Sequence, residues 1–143
     1  MTSKPIPYLI LNTAPATEPL TLDEAKLYLR LDSDDENTLI SSLITTVRQA
    51  AERHLKRSLI TQTWLLAFDT YAPTEVLLPK GPVQSITSVT IIARDGGQTI
   101  MSASTYYVNA GKEKLIFDVP PIGNIVEILY VTGYGTAASV PEA

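Results

Sequence analysis

His54 is the only histidine in a chain of 143 residues that has no cysteine. A metal site of the usual nitrogen and sulfur kind needs several such ligands, and His54 has none to join it. It stands among basic residues near the end of a predicted helix, where an exposed or capping role suits it. A Ser-His-Asp hydrolase would also have to use His54, and no Gly-x-Ser-x-Gly elbow accompanies it. The missing cysteine further removes thiolate zinc sites, cysteine nucleophiles and disulfides.

Asp32, Asp34, Asp35 and Glu36 form a dense acidic run. Such a run could bind calcium or supply paired carboxylates. Its spacing only loosely follows the start of an EF-hand loop. The sixth position, a glycine in that loop, is Asn37, and the distal glutamate position is Leu43. Helix capping is the better reading. Val131-Thr132-Gly133-Tyr134-Gly135 has the spacing of a potassium-filter loop but no flanking membrane helices. Its glycines read as a turn out of a strand. No Gly-x-x-x-x-Gly-Lys or Gly-x-Gly-x-x-Gly phosphate loop occurs, and Lys80-Gly81-Pro82 reads as a turn. Tyr106, Tyr107, Tyr130 and Tyr134 read as sheet packing.

The basic cluster Arg48, Arg53, Lys56 and Arg57 allows three readings. It could touch DNA, pair with acids on a neighbouring subunit, or be a solvated helix face. Composition bears on the first. The formal net charge is -4 and the isoelectric point near 4.9, which argues against a domain that binds DNA by neutralising phosphates. No apolar run approaches the ~18 residues of a membrane span. The N-terminal stretch has two prolines and only a short apolar run, so it does not read as a signal peptide. The chain is expected to be made in the cytoplasm and kept there unless an assembly carries it out.

The elements that must position these residues follow from periodicity. Residues 1–19, with prolines at 5, 7, 15 and 19, read as an extended arm, partly ordered at best. Residues 20–58 read as a helical pair. Thr21 and Glu24 form a capping box for the first helix, with Leu22, Ala25 and Leu29 on one face. The second is expected to be capped by Ser33 or Asp34, with acids in its first turn. Leu39, Ile40, Leu43, Ile44, Val47, Ala50, Ala51 and Leu55 recur in steps of three and four, so one stripe faces a partner surface.

Residues 59–135 read as an antiparallel β module, a small sandwich or barrel, followed by a tail over 136–143. Ile60 to Phe68 alternates as a strand. Val76 to Leu78 and Ser88 to Arg94 are further strands, with Val83 to Ile86 pairing briefly. Asp95-Gly96-Gly97 is the strongest turn signal. Thr105 to Val108 and Leu115 to Val119 flank a second hairpin loop. Ile125 to Thr132 is apolar on both faces apart from Glu127, the pattern of a central strand. The fold class is α+β, and no convergent chemistry appears. The residues alone read as a binding or assembly module.

Five segments, in order, carry a resemblance. They are Glu18-Pro19-Leu20-Thr21-Leu22-Asp23-Glu24-Ala25-Lys26-Leu27-Tyr28-Leu29-Arg30-Leu31-Asp32, the run Leu39 to Glu52, and Ser58-Leu59-Ile60-Thr61-Gln62-Thr63-Trp64. Leu78 to Val89 and Tyr130 to Gly135, followed by Val140-Pro141-Glu142-Ala143, complete the set. Together they resemble the phage head–tail connector (adaptor) family of long-tailed phages, prophages and gene transfer agents. The resemblance implies a structural virion protein of the neck, without enzymatic activity or cofactor. It implies a ring, usually of twelve subunits, under the portal protein. That ring extends the DNA channel, lets DNA pass without sequence-specific binding, and docks the next neck or tail protein. It also implies a long C-terminal helix packed on the first two; the sequence stops at Ala143, where that helix is expected to begin, and without it the stripe from Leu39 to Leu55 needs another cover, from portal, neighbouring subunit or sheet. Ring contacts are expected between the acidic start of one second helix (Asp34, Asp35, Glu36) and the basic end of another (Arg48, Arg53, Lys56, Arg57). A free-standing β-rich ligand-binding module, or another tail component, is the alternative.

Overall fold

β-branched and aromatic residues dominate the second half of the chain, and they build two packed antiparallel sheets. The structure, a computed structural model, describes residues 7–142. The central strand is β8 (Ile122–Thr132). It lies between β2 (Gln62–Tyr71) and β4 (Val83–Ile92), pairing Trp64 with Tyr130 and Val89 with Ile128. The larger sheet is completed by β1 (Pro7–Thr13) beside β2 and β5 (Gln98–Ile100) beside β4, in the order β1-β2-β8-β4-β5. A three-stranded sheet is formed by β3 (Glu75–Leu77), β7 (Lys114–Phe117) and β6 (Tyr106–Val108), in the order β3-β7-β6.

Period-2 alternation decides which side chains meet between the sheets. Leu66 and Phe68 of β2, Val126, Ile128 and Tyr130 of β8, and Val83 and Val89 of β4 face inward. They pack on Val76, Leu115 and Phe117 of the smaller sheet. The architecture is a sandwich. Tyr106 meets Phe117 edge-on, with ring centroids 6.0 Å apart. Tyr130 is fully buried, and its hydroxyl donates to the Pro79 carbonyl at 2.7 Å. Burial pushes that hydroxyl's pKa well above the usual phenol value.

The arm expected over residues 1–19 contributes an ordered strand. β1 pairs with β2 through Leu9 opposite Leu66, and Leu9 packs against the core. Tyr8-Leu9-Ile10-Leu11 is a short continuous apolar run without polar alternation, and the prolines around it favour reading it as an arm. The two short segments expected over Val83 to Arg94 are one strand. Bulges between Val83 and Ser85 and between Ile86 and Ser88 bridge them.

The helices are α1 (Leu22–Leu29) and α2 (Asn37–Leu55). The α1 capping box is present. Thr21 Oγ1 accepts the Glu24 N–H at 3.2 Å, and Glu24 Oε2 accepts the Thr21 N–H at 2.8 Å. These bonds, the backbone one foremost, hold the Glu24 carboxyl below its ordinary pKa. Arg30 and Lys56 end the two helices in left-handed backbone, at φ 57° and 56°.

The expected start of α2 is corrected. Glu36 stands at its N-cap without a side-chain cap bond, and no acid lies in its first turn. Local bonds have claimed the candidates. Ser33 Oγ accepts the Asp35 N–H and donates to the Asp35 carboxylate. Asp34 accepts from Lys26 Nζ at 2.6 Å and from Asn37 Nδ2 at 3.3 Å.

No α1 or α2 side chain belongs to the sandwich core. The helical pair covers neither sheet face. It is fastened at the end of the sandwich where residues 58–62 lead into β2.

Candidate assembly surface

Three neighbouring features at that end could act on other molecules: an apolar groove, a buried ion cluster and a basic corner. The groove arises because α1 and α2 meet along only part of their apolar stripes. Ala25 and Ile40 are buried between them. Leu20, Tyr28 and Leu29 on one side, and Leu43, Ile44 and Val47 on the other, line an opening of about 650 Å³. Tyr28 is 88% exposed and Val47 65%. Fully burying a Val or Leu side chain is worth about 1.5–3 kcal/mol, and these positions forgo much of it. A contiguous apolar surface of this kind marks a contact site.

The ion cluster fixes the groove to the sandwich. Arg48 is 7% exposed, so its guanidinium needs internal partners. Its Nε donates to Glu18 Oε2 at 2.6 Å, and one terminal nitrogen donates to Glu52 Oε2 at 2.8 Å. The other Glu52 oxygen accepts the Leu59 N–H at 2.8 Å and Gln62 Nε2 at 2.7 Å. Glu18 also accepts from the Thr45 hydroxyl at 3.0 Å. Burial alone would lower the Arg48 pKa. The Glu18 hydrogen bond and charge, with Glu52 behind them, overcome it and hold Arg48 above its ordinary value. One carboxylate thereby ties α2 to both the strand entry and β2.

The corner is built by the end of α2 and the turn after β3. Leu55, Lys56, Arg57, Leu77, Lys80 and Pro82 line a hollow of about 460 Å³. Arg57 donates to the Tyr134 hydroxyl at 3.1 Å. Lys80 Nζ lies 5.5 Å from the Trp64 ring centroid. Arg53 lines an adjoining hollow with Lys80 and Trp64.

The seven residues expected at ring contacts are thus dispersed. Arg48 is spent inside the chain and is withdrawn from any surface role, because its charge is buried between two carboxylates. Asp34 is engaged by Lys26, whose hydrogen bond lowers its pKa, with Asn37 and the Lys26 charge adding to it. Asp35 bonds Ser33. Asp34, Asp35 and Glu36 precede α2, whose 19 residues span roughly 28 Å, so they are far from its basic end. Arg53, Lys56 and Arg57 remain together and exposed, joined by Lys80, which a turn reading of Lys80-Gly81-Pro82 passed over. Glu52 was findable as an i,i+4 partner of Arg48. Glu18, thirty positions away from Arg48, carried no local signal. His54 is exposed, and among the described residues no group of His, Cys, Asp and Glu is arranged to hold a metal ion.

The head completion protein family model matches residues 18–143. The chain belongs to the head completion protein family. The matched region includes the groove, the ion cluster and the corner; β1 precedes it. Solved structures share the fold of this family member. A chain in the neck of an empty gene transfer agent particle, computed with C6 symmetry, matches with a TM-score of 0.78 at 24% identity. It covers 94% of this chain and 75% of that one. A chain in the virion of a native gene transfer agent particle matches with a TM-score of 0.74 at 22% identity, covering 93% and 75%. A chain in a native neck computed with C12 symmetry matches with a TM-score of 0.67 at 23% identity, covering 92% and 74%. No curated protein matches the chain.

Proposed function

We propose that this head completion protein is a structural, non-enzymatic component of the virion neck. Its copies form a ring under the portal protein, extend the DNA channel and present a docking surface for the next neck or tail protein. The observation that carries this reading is the open apolar groove between α1 and α2, on a chain whose family completes phage heads. Leu43, Val47 and Tyr28 are 50%, 65% and 88% exposed in the groove and gain from apolar cover, which in this reading the assembly supplies. A part of an assembly buries them on arrival. The net charge of -4 supports passage of DNA without a grip on its phosphates.

The test is incorporation of the full chain into particles. The unaltered chain is expected at the head vertex by electron microscopy, and in complexes purified through portal protein. Leu43→Asp together with Val47→Asp places charge in the groove without touching the sandwich core. This variant is expected to keep its circular dichroism spectrum and to fall at least about tenfold in particle incorporation, the loss of one or two buried apolar side chains. Wild-type incorporation by the variant would remove the groove from the assembly. Absence of the unaltered chain from particles would overturn the whole reading.

A further inference from the structure

The five strands of the larger sheet contain no Lys or Arg; their only charged residues are Asp69 and Glu127. Both fall on the face turned away from the sandwich core. Glu127 is opposite Ala67 on β2 and Thr90 on β4, and Asp69 is opposite Ile125, two pairs further along and so on the same face. The same outer face carries Tyr8, Ile10, Leu65, Leu129 and Val131, with Tyr8 41% and Ile10 50% exposed. A solvent-facing side of an antiparallel sheet is ordinarily polar. This one is apolar over much of β1, β2 and β8, carries Thr63, Ser85, Ser88 and Thr90 beside that area, and has two carboxylates and no cation from its strands; Glu127, half-buried, has no ion-pair or hydrogen-bond partner among the described residues.

The basic corner is its counterpart. Arg53, Lys56, Arg57 and Lys80 stand beside half-exposed Leu55 and Leu77, 53% and 65% exposed. Arg53 lies near Trp64, an inward-facing residue of β2, so the corner and the outer face are on opposite sides of the sheet. Arg53 and Lys56 have no ion pair among the described residues. One surface is part apolar with carboxylates as the only charges its strands supply, the other is predominantly cationic with Glu113 at its edge, and one chain carries both on opposite sides of the larger sheet. Two unlike patches on opposite sides form a heterologous, head-to-tail contact, which closes into a ring when the rotation permits.

We propose that the outer face of the larger sheet docks on the basic corner of a second copy, with Glu127 received by Arg53 and Lys56. This deepens the neck-ring reading above and rests on it. It replaces a contact between the two ends of α2, whose acidic side is occupied by Lys26 and Ser33.

The full chain lacks cysteine, so introduced thiols are the only ones present. Thr90→Cys marks the sheet face beside Glu127, and Gln49→Cys marks the hollow beside Arg53. The chain carrying both is expected to give a ladder of covalent oligomers with a short bis-maleimide, while equimolar singles mixed together give dimers of one thiol with the other. Adding Glu127→Arg should lower cross-linking about tenfold, and adding Arg53→Glu to that chain should restore it, because like charges repel across a contact and a swapped pair attracts. Native mass spectrometry on the same samples reports ring formation. Rings without a ladder, or a ladder indifferent to Glu127→Arg, would overturn this contact and leave the neck reading standing. Neither rings nor a ladder would overturn both.

Discussion

At the scale of single residues, the chain spends its most buried polar interactions on holding itself together. Arg48 sits between Glu18 and Glu52, and every oxygen of those two carboxylates is engaged. Removing one partner of a buried pair costs more than the pair contributes, since a charge is left unpaired. Arg48→Met is expected to lower stability by about 3 kcal/mol, read from urea unfolding. Adding Glu52→Gln should recover part of that loss, because the amide oxygen can still accept the Leu59 N–H. At the other extreme is the exposed α1 cap. Its carboxyl value is depressed on folding, so its contribution is present above pH 4.5 and fades as pH falls through Glu24's lowered value. Following the residue 21–24 amides by NMR through this acid range should show the cap releasing, and Glu24→Gln should flatten the response. Residue chemistry also sets what could be foreseen. Capping is local, so Thr21 and Glu24 announced α1 correctly. The rival local bonds of Ser33 and Asp34 are equally short in range, yet nothing in the order of residues ranks one against the other.

At the scale of elements, alternation and period carried most of the information. The run from Ile125 to Thr132 is apolar on both faces apart from Glu127, and β8 is the central strand of the five-stranded sheet. The Asp95-Gly96-Gly97 turn was visible because glycine is needed there; Gly96 has φ +88°. β1 was missed because prolines surround a short apolar run that shows no polar alternation, and the unity of β4 because bulges reset the alternation midway. The groove was legible as a stripe in want of cover, while the basic corner was only half legible: Lys80 arrives from another element. A second glycine shows how tightly the elements are joined. Gly133 has φ +107°, and a Cβ there would lie 2.5 Å from the Ile60 carbonyl oxygen and 2.9 Å from the Thr61 nitrogen. Those are backbone atoms that cannot swing aside. Gly133→Ala is expected to lower the stability by about 2 kcal/mol or more, measured as a drop in melting temperature. Its N–H also donates to the Pro82 carbonyl at 2.9 Å, so a shift there would propagate into the corner.

At the scale of the whole molecule, stability and contact are divided between two bodies. The sandwich holds the core, and the helices hold the groove. The two are joined across a small polar area at which Glu52 grips α2, the strand entry and β2 at once. Arg57 on Tyr134 adds a strut on the far side of the helix end. Mechanically, α2 is a lever some five turns long, clamped near one end and unsupported by the sandwich over the rest. A push on its free end, where Asn37 begins, is carried along α2 to the few hydrogen bonds of Glu18, Glu52 and Arg57. Hydrogen bonds are directional and yield over fractions of an ångström, whereas an apolar contact slides. The joint should therefore hold the lever stiffly up to a threshold and then release it abruptly, giving the protein a yield point.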